Sequence, residues 1–459
     1  MPSTRHAQDS GPPLLETTSS ESAHVVGDSQ SGEITTHTSP NMSSKRKGKA
    51  STHTTGSGSA AAGEKDQSQE KAPEGKSGNL GHVGTVLDAK GLDGGNENSI
   101  PVTQKPAEGT ASDKDVLESK VSHLDNEDYT IGWICTSPIE LNAAEFFLSS
   151  IHGIPREKNR GDDNIYILGD ISRHNVVMAS MPVGQYGTAA AAAVTARMLQ
   201  SFPNVRFGLS VGVAGGVPIQ GNRNIHLGDI VVGFGEGRKH GGVIQYDYGK
   251  EVQGKGFEET HFLNQAPEIL RAALARLLSW KSRGTEALSE DIATQICRML
   301  QKKTDHVRRQ LTRPLPETDR LYKPNIAHQR VGCQCENGQS VVESDVIMRD
   351  TSRQTPAIHY GLIGSGNSLI KNALRRDELA AKHPYLCFEM AASGIVNQLP
   401  CLVVRGICDY ADSHSNEIWQ PHAALVAAAY GRVVLAQIPP TEMQRARRFK
   451  DQFGEVCSG

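Results

Sequence analysis

Cys387-Phe388-Glu389-Met390-Ala391-Ala392-Ser393-Gly394, followed by Val403-Val404-Arg405-Gly406-Ile407-Cys408-Asp409-Tyr410-Ala411-Asp412, decides the fold. Both stretches are apolar runs rich in β-branched or aromatic residues, which favour strands. Helix-compatible sequence follows each run. Glu389 lies within the first expected strand, Arg405 within the second, and Asp409 just past the apolar end of the second. In open α/β sheets ligands gather at the carboxyl ends of strands, so Asp409 is placed for chemistry. Two structural readings stand beside that one: an internal Glu389–Arg405 ion pair, and a helix cap by Asp409.

Outward from this stretch the same alternation repeats. Strands are expected over 129–135, 165–171, 175–181, 206–213, 229–234, 242–248, 358–363, 386–390 and 402–407. Pro138 suits a first helical turn, and the apolar spacing of 139–148 gives one buried face. The alanine-rich 186–202 reads as a helix, since Ala has the best propensity and its small side chain permits close packing. Helical sequence also covers 267–305, interrupted near Gly284, and 419–436, with a charged terminal helix over 441–453. The span 308–355 shows little periodicity and reads as an irregular insertion. The sum is a three-layer α/β/α domain around a mixed, twisted central sheet.

Composition sets the limits of that domain. The chain has 459 residues, its first aromatic is Tyr129, and all 8 cysteines lie at Cys135 or later. The hydrophobic content of 37% is below the usual globular fraction, and the deficit belongs to the start of the chain. Residues 1–127 are expected to be a disordered Ser/Thr/Gly-rich tail, because little in them offsets the entropy of ordering a backbone. The domain is expected over 128–437, with a helix or tail over 438–459. A net charge of −3 gives no whole-chain case for a nucleic-acid coat. There is no run of about 20 apolar residues to span a bilayer. The opening Met1-Pro2-Ser3-Thr4-Arg5-His6 leads into Ser, Thr and Gly, so no signal-peptide core is expected. Scattered cysteines then read as reduced thiols, and the location as cytoplasmic. Lys45-Arg46-Lys47-Gly48-Lys49 is either a nuclear signal or a solvated charge cluster.

Gly208-Leu209-Ser210-Val211-Gly212-Val213-Ala214-Gly215-Gly216-Val217 ends a strand in three closely spaced glycines. Such a turn can present backbone N–H groups to an anion or sugar, or can simply require positive φ. Gly249-Lys250-Glu251-Val252-Gln253-Gly254-Lys255-Gly256 imitates a phosphate loop, but ends in Gly256 where a magnesium-binding hydroxyl belongs, and no apolar helix follows. Cys333-Gln334-Cys335 lacks the second pair of ligands that a structural zinc site needs. No metal and no cofactor are expected.

Five stretches taken in order resemble the nucleoside phosphorylase superfamily: IGWICTSPIELNAAE from Ile131, the Gly212–Val217 turn, GLIGSGNSLI from Gly361, FEMAASG from Phe388 and VVRGICDYAD from Val403. Within it, they are similar to the domain at the front of many fungal NACHT- or ankyrin-type immune receptors. The resemblance implies cleavage of the N-glycosidic bond of a purine nucleoside or nucleotide by water or phosphate, and self-association into a homo-oligomer. It implies Asp409 as general acid toward the base and Glu140 as the carboxylate that activates water. Met390 would lie under the ribose, Gly212, Gly215 and Gly216 would cradle ribose or phosphate, and Leu369, Ile370 and Phe388 would face the base.

The chain departs from that pattern in three places. Ala391 stands where the family has a ribose-gripping Glu, and a lost charged hydrogen bond costs roughly 1.5–3 kcal/mol. Glu389, two residues earlier, would share its face if the strand continued, and could supply the missing carboxylate. Ser210 stands where phosphorolytic members place an Arg, which favours water as nucleophile, and Leu369 replaces a stacking Phe. The rival reading is a catalytically inactive nucleotide-binding module for recognition or signalling. A nucleic-acid partner is not expected, because it would rest only on the Lys45–Lys49 run and the Arg445–Arg448 patch.

Overall fold

The chain is described by a computed structural model over residues 124–235, 240–260, 263–281, 286–328, 343–414, 417–448 and 451. The expected tail up to residue 123, the basic run at Lys45, the break at Gly284 and the Cys333-Gln334-Cys335 triplet lie outside those residues. The first described element is a 3₁₀ turn at Asn126–Asp128.

The strands are β1 (Ile131–Cys135), β2 (Ser150–Ile151), β3 (Tyr166–Ile171), β4 (His174–Ser180), β5 (Phe207–Gly216), β6 (Ile219–Gln220), β7 (Arg223–Asn224), β8 (Ile230–Gly233), β9 (Val243–Gln245), β10 (Gly249–Val252), β11 (Gly256–Glu259), β12 (Ile358–Ser365), β13 (Tyr385–Glu389) and β14 (Cys401–Asp409). The helices are α1 (Pro138–Glu145), α2 (Thr188–Ser201), α3 (Glu268–Lys281), α4 (Glu286–Gln301), α5 (Asp305–Leu311), α6 (Ala373–Lys382), α7 (Ala392–Ile395), α8 (Gln420–Ala436) and α9 (Pro440–Arg445).

Ten strands form one mixed sheet in the order β13-β12-β8-β14-β5-β1-β4-β3-β2, with β9 beside β12. β4, β1, β5 and β14 run parallel to one another, whereas β8 is antiparallel to β14 and β3 to β4. β13 also pairs antiparallel with β5 through Phe388 and Gly215, so this end of the sheet closes on itself. The expected mixed central sheet is present, and the closure is an addition to it.

Alternate residues of the central strands face opposite layers, as strand geometry requires. Trp133, Leu209, Val211, Leu402 and Val404 join one cluster with α1, α3, α4 and α8. Ile134, Val177, Val403 and Ile407 join a second with α2 and α7. Helix α8 is apolar on almost every face, which marks a helix enclosed by protein, and it is buried almost throughout from His422 to Leu435. It lies against β14 so closely at Gly406 that a Cβ there would meet the Ala423 carbonyl.

Gly249–Gly256, set aside above as a phosphate loop, folds as the β10–β11 hairpin. Three sequence expectations change. Among the described residues the terminal helix runs over Pro440–Arg445, because Pro440 starts it at N1 and the backbone turns extended at Ala446 (φ −61°, ψ 135°); much of the rest of the expected 441–453 lies outside the described residues. The core also continues past 437, since Ile438 and Met443 are buried. Within the expected insertion 308–355, where residues 329–342 lie outside the described residues, the chain begins inside α5 and carries the buried Asp319 and a half-buried Arg349, so the described part is more anchored than its lack of periodicity implies.

Candidate active site

The parallel strands β1, β5 and β14 deliver their carboxyl ends to one rim, and a cavity of about 730 Å³ opens there. Ser137 caps α1: its hydroxyl accepts from the Glu140 N–H, while the Glu140 carboxylate accepts from Ser137 N at 3.2 Å. Pro138 at N1 completes the helix start. This reciprocal capping box fixes the Glu140 rotamer. The same carboxylate also accepts from Thr136 N, from Thr136 Oγ1 at 2.7 Å and from Val213 N at 2.8 Å. Glu140 is therefore both a helix cap and a bridge from α1 to β5, with one edge on the cavity.

Gly212, Gly215 and Gly216 are strand residues of β5, not a positive-φ turn. They are required by close approach. A Cβ on Gly212 would stand 2.7 Å from Glu140 Oε2, and one on Gly215 would stand 2.6 Å from Asp409 Oδ1. Gly216 clears Ile407 in the same way, at 2.8 Å, and its role is packing. Of these glycines only Gly215 lines the cavity.

Asp409 reaches the cavity through an irregularity in β14. Ile407 pairs with Ala214 and Asp409 with Gly215, so Cys408 is the extra residue of a bulge. Bulges re-aim the side chains that follow them. Asp409 Oδ1 accepts from Ala411 N at 2.8 Å, and Cys408 Sγ lies 3.7 Å from Oδ2. Burial, reinforced by the charge of Asp412, pushes the Asp409 carboxyl above the usual carboxylate range, against the pull of the Ala411 N–H and Lys371. A carboxyl raised in this way is suited to donate a proton. Asp409 is not a helix cap; its acceptor turn is local.

Glu389 takes the role of an internal ion pair. Its carboxylate receives Arg405 Nη2 at 2.6 Å and the N–H groups of Ala391 and Ala392 at 3.0 Å each. Strand β13 ends at Glu389, so Ala391 does not share a strand face with it; Glu389 borders the cavity, but its carboxylate is already engaged by Arg405 and the Ala391 and Ala392 N–H groups. Arg405 is bound as well, to Ser210 O and Ser210 Oγ at 3.0 Å each. Burial opposes its charge, but Glu389 and Glu140 outweigh that and hold the guanidinium above its ordinary value. Two carboxylates around one cation leave net negative charge under the cavity floor.

Met390 and Leu369 line the cavity, with Leu369 60% exposed at its rim. Phe388 shows it only an edge: the ring is buried, T-shaped on Tyr246 with centroids 5.5 Å apart. Ile370 packs into the small cluster around Phe388 and is absent from the lining. Sequence reasoning missed Thr136, Lys371 and the segment 181–186, whose Val183 and Tyr186 are exposed beside the cavity. No periodicity marks that segment; only Gly184 and Gly187, at φ 83° and 93°, signal a sharp reversal there.

The mixed α/β sheet thus brings two carboxyl groups to one cavity at the strands' carboxyl ends, where such sheets bind ligands: Asp409 from the end of β14, and Glu140 from the helix that follows β1. No family model matches the chain. Over 331 residues it is 40% identical to a nucleotide-binding leucine-rich repeat (NLR)-like protein of Hyaloscypha variabilis, covering 72% of this chain and 31% of that protein. The chain thus spans about a third of the length of this curated relative. Among solved structures it is similar to 5′-methylthioadenosine/S-adenosylhomocysteine nucleosidase of Neisseria meningitidis in complex with methylthio-immucillin-A, at TM-score 0.41 and 15% identity, over 67% of this chain and 98% of that one. It is also similar to futalosine hydrolase of Helicobacter pylori, at TM-score 0.40 and 17% identity, over 67% and 97%. Among the described residues no helix is long and apolar enough to cross a membrane.

Proposed function

We propose that this domain cleaves the N-glycosidic bond of a purine nucleoside or nucleotide, with water as the nucleophile. The observation that carries the reading is the pair Glu140 and Asp409, set on one cavity from the ends of β1 and β14, with Gly212 and Gly215 leaving room for their carboxyl groups. Asp409 protonates the base nitrogen as the bond breaks. Glu140 takes the proton from the attacking water, and the surplus negative charge beneath the cavity favours the cationic sugar of the transition state. Water is favoured over phosphate because Ser210 stands where an Arg would hold phosphate, and the buried Arg405 is already bound to Glu389 and to Ser210 itself. Self-association through the exposed rim of Val183, Tyr186 and Leu369 belongs to the same proposal.

The test is release of free base from adenosine, inosine, guanosine, methylthioadenosine and ATP, with and without phosphate. Base released equally in both conditions supports hydrolysis, and phosphate dependence transfers the reading to phosphorolysis. No base from any of them at high protein concentration removes the catalytic claim. The second reading, an inactive nucleotide-binding module for recognition, is favoured by one feature. Ala391 offers no ribose acceptor and Glu389 is already paired. The NLR-like name of the relative is compatible with it. Calorimetric binding of a purine nucleoside or nucleotide without turnover is its signature.

A further inference from the structure

We propose that the insertion 308–355 positions Asp409: Asp319 and Arg349 clamp the hydroxyl of Tyr410, and Tyr410 fixes the backbone that aims the acid. The inference rests on the reading of Asp409 as the proton donor. Tyr410 is the next residue in the chain and is 2% exposed. Its hydroxyl donates to Asp319 Oδ1 and accepts from Arg349 Nη2 and from Leu227 N at 3.2 Å. Arg349 Nη2 closes the triangle to Asp319 Oδ1 at 3.1 Å, and its guanidinium lies 4.7 Å over the Tyr410 ring. His226 Nδ1 holds the other Asp319 oxygen at 3.0 Å.

A second anchor grips the other side of the same residue. The buried Arg376 donates to the Tyr410 carbonyl at 2.8 Å. With ring and carbonyl both held, the chain must turn sharply, and Ala411 adopts φ 51° although it is not glycine. Such a conformation persists only where its surroundings over-determine it. Its consequence is direct: the turn aims the Ala411 N–H at Asp409 Oδ1, at 2.8 Å. None of the insertion's described residues lines the cavity, yet it supplies the two charged groups that fix the tyrosine hydroxyl. Asp319 and Arg349 are thus positioning residues, acting through Tyr410.

The experiment uses the full chain with Tyr410→Phe, which keeps the ring, and Asp319→Asn. On a nucleoside that the wild type cleaves, kcat should fall by about 10²-fold, as for a small misplacement of a reacting group. KM should stay within about twofold, and the basic limb of the kcat–pH profile should move. In an Asp409→Asn background, Tyr410→Phe should cause no further loss. An unchanged kcat in the folded Tyr410→Phe variant overturns the proposal, as does an equal further loss in the Asp409→Asn background. A readout free of catalysis separates this from the functional reading. Amide exchange at Ala411 should quicken at least about tenfold in Tyr410→Phe while Val177, in β4, is unchanged. If the wild type releases no base but Ala411 exchange quickens, the clamp stands and the reaction does not. Unchanged exchange at Ala411 overturns the clamp whatever the activity.

Discussion

Gly212 and Glu140 share one site: the carboxylate of Glu140 fills the space that a Cβ on residue 212 would occupy. Gly212→Ala must therefore push Glu140 away from Val213 N. Overpacking of this kind costs about 1–3 kcal/mol, and loss of the aligned carboxylate should lower base release by about 10²-fold or more. Thermal unfolding and a base-release assay on the same preparation measure both. A variant with wild-type activity removes Glu140 from the proposed water-activating role.

Glu389→Gln tests whether this residue is a structural or a ribose-binding group. Removing one member of a buried ion pair leaves the other charge unpartnered, at about 3–5 kcal/mol. The expected result is a large fall in denaturation midpoint, with Arg405→Met in the same chain recovering part of it. A variant of unchanged stability and raised KM would instead identify Glu389 as a ligand contact.

Ala391→Glu restores the carboxylate that the resembling family carries. Here Ala391 is fully buried and its N–H already binds Glu389. A second carboxylate must repel the first and break the short turn into α7, so the expected outcome is loss of stability with no gain in base release. Increased turnover would show that the site has lapsed from an active ancestor and that residue 391 reaches the ribose.

The pH dependence follows from Asp409. Its folded carboxyl lies above the unfolded value, so the protonated form is the one that folding favours. Its contribution is fully present below the unfolded value, near pH 4, and is lost as pH rises through the folded value. Asp409→Asn should therefore be more thermostable than wild type at pH 7–8, with the difference vanishing below about pH 4. Base release in that variant should fall to a residual rate, about 10²–10⁴-fold below wild type, that no longer follows the basic limb of the pH profile. Equal melting temperatures across the range would place Asp409 in ordinary solvent.

Much of the architecture was legible in residue order. The apolar runs around Ile131, Val177, Leu209 and Val403 are strands because half-buried or buried pleats select such residues, and the alanines of α2 are a helix for their propensity. Pro138 marked the start of α1, while the capping box of Ser137 and Glu140 around it came from the structure. Local chemistry also placed Asp409 at a strand end. What it left open was whether Glu389 and Arg405 meet. That depends on the register between β13, β5 and β14, which no local pattern encodes.

Only the tertiary structure gave the glycines of β5 their meaning. Sequence offered a turn of positive φ; the fold instead brings α1 and β14 so near that residues 212 and 215 can carry no side chain. The bulge at Cys408 and the clamp from Asp319 and Arg349 were equally invisible, because each joins residues far apart in the chain, Asp319 and Tyr410 being 91 positions apart. Periodicity reports which face of an element is buried. It does not report which elements touch, and here it is those contacts that hold the two carboxyl groups in place.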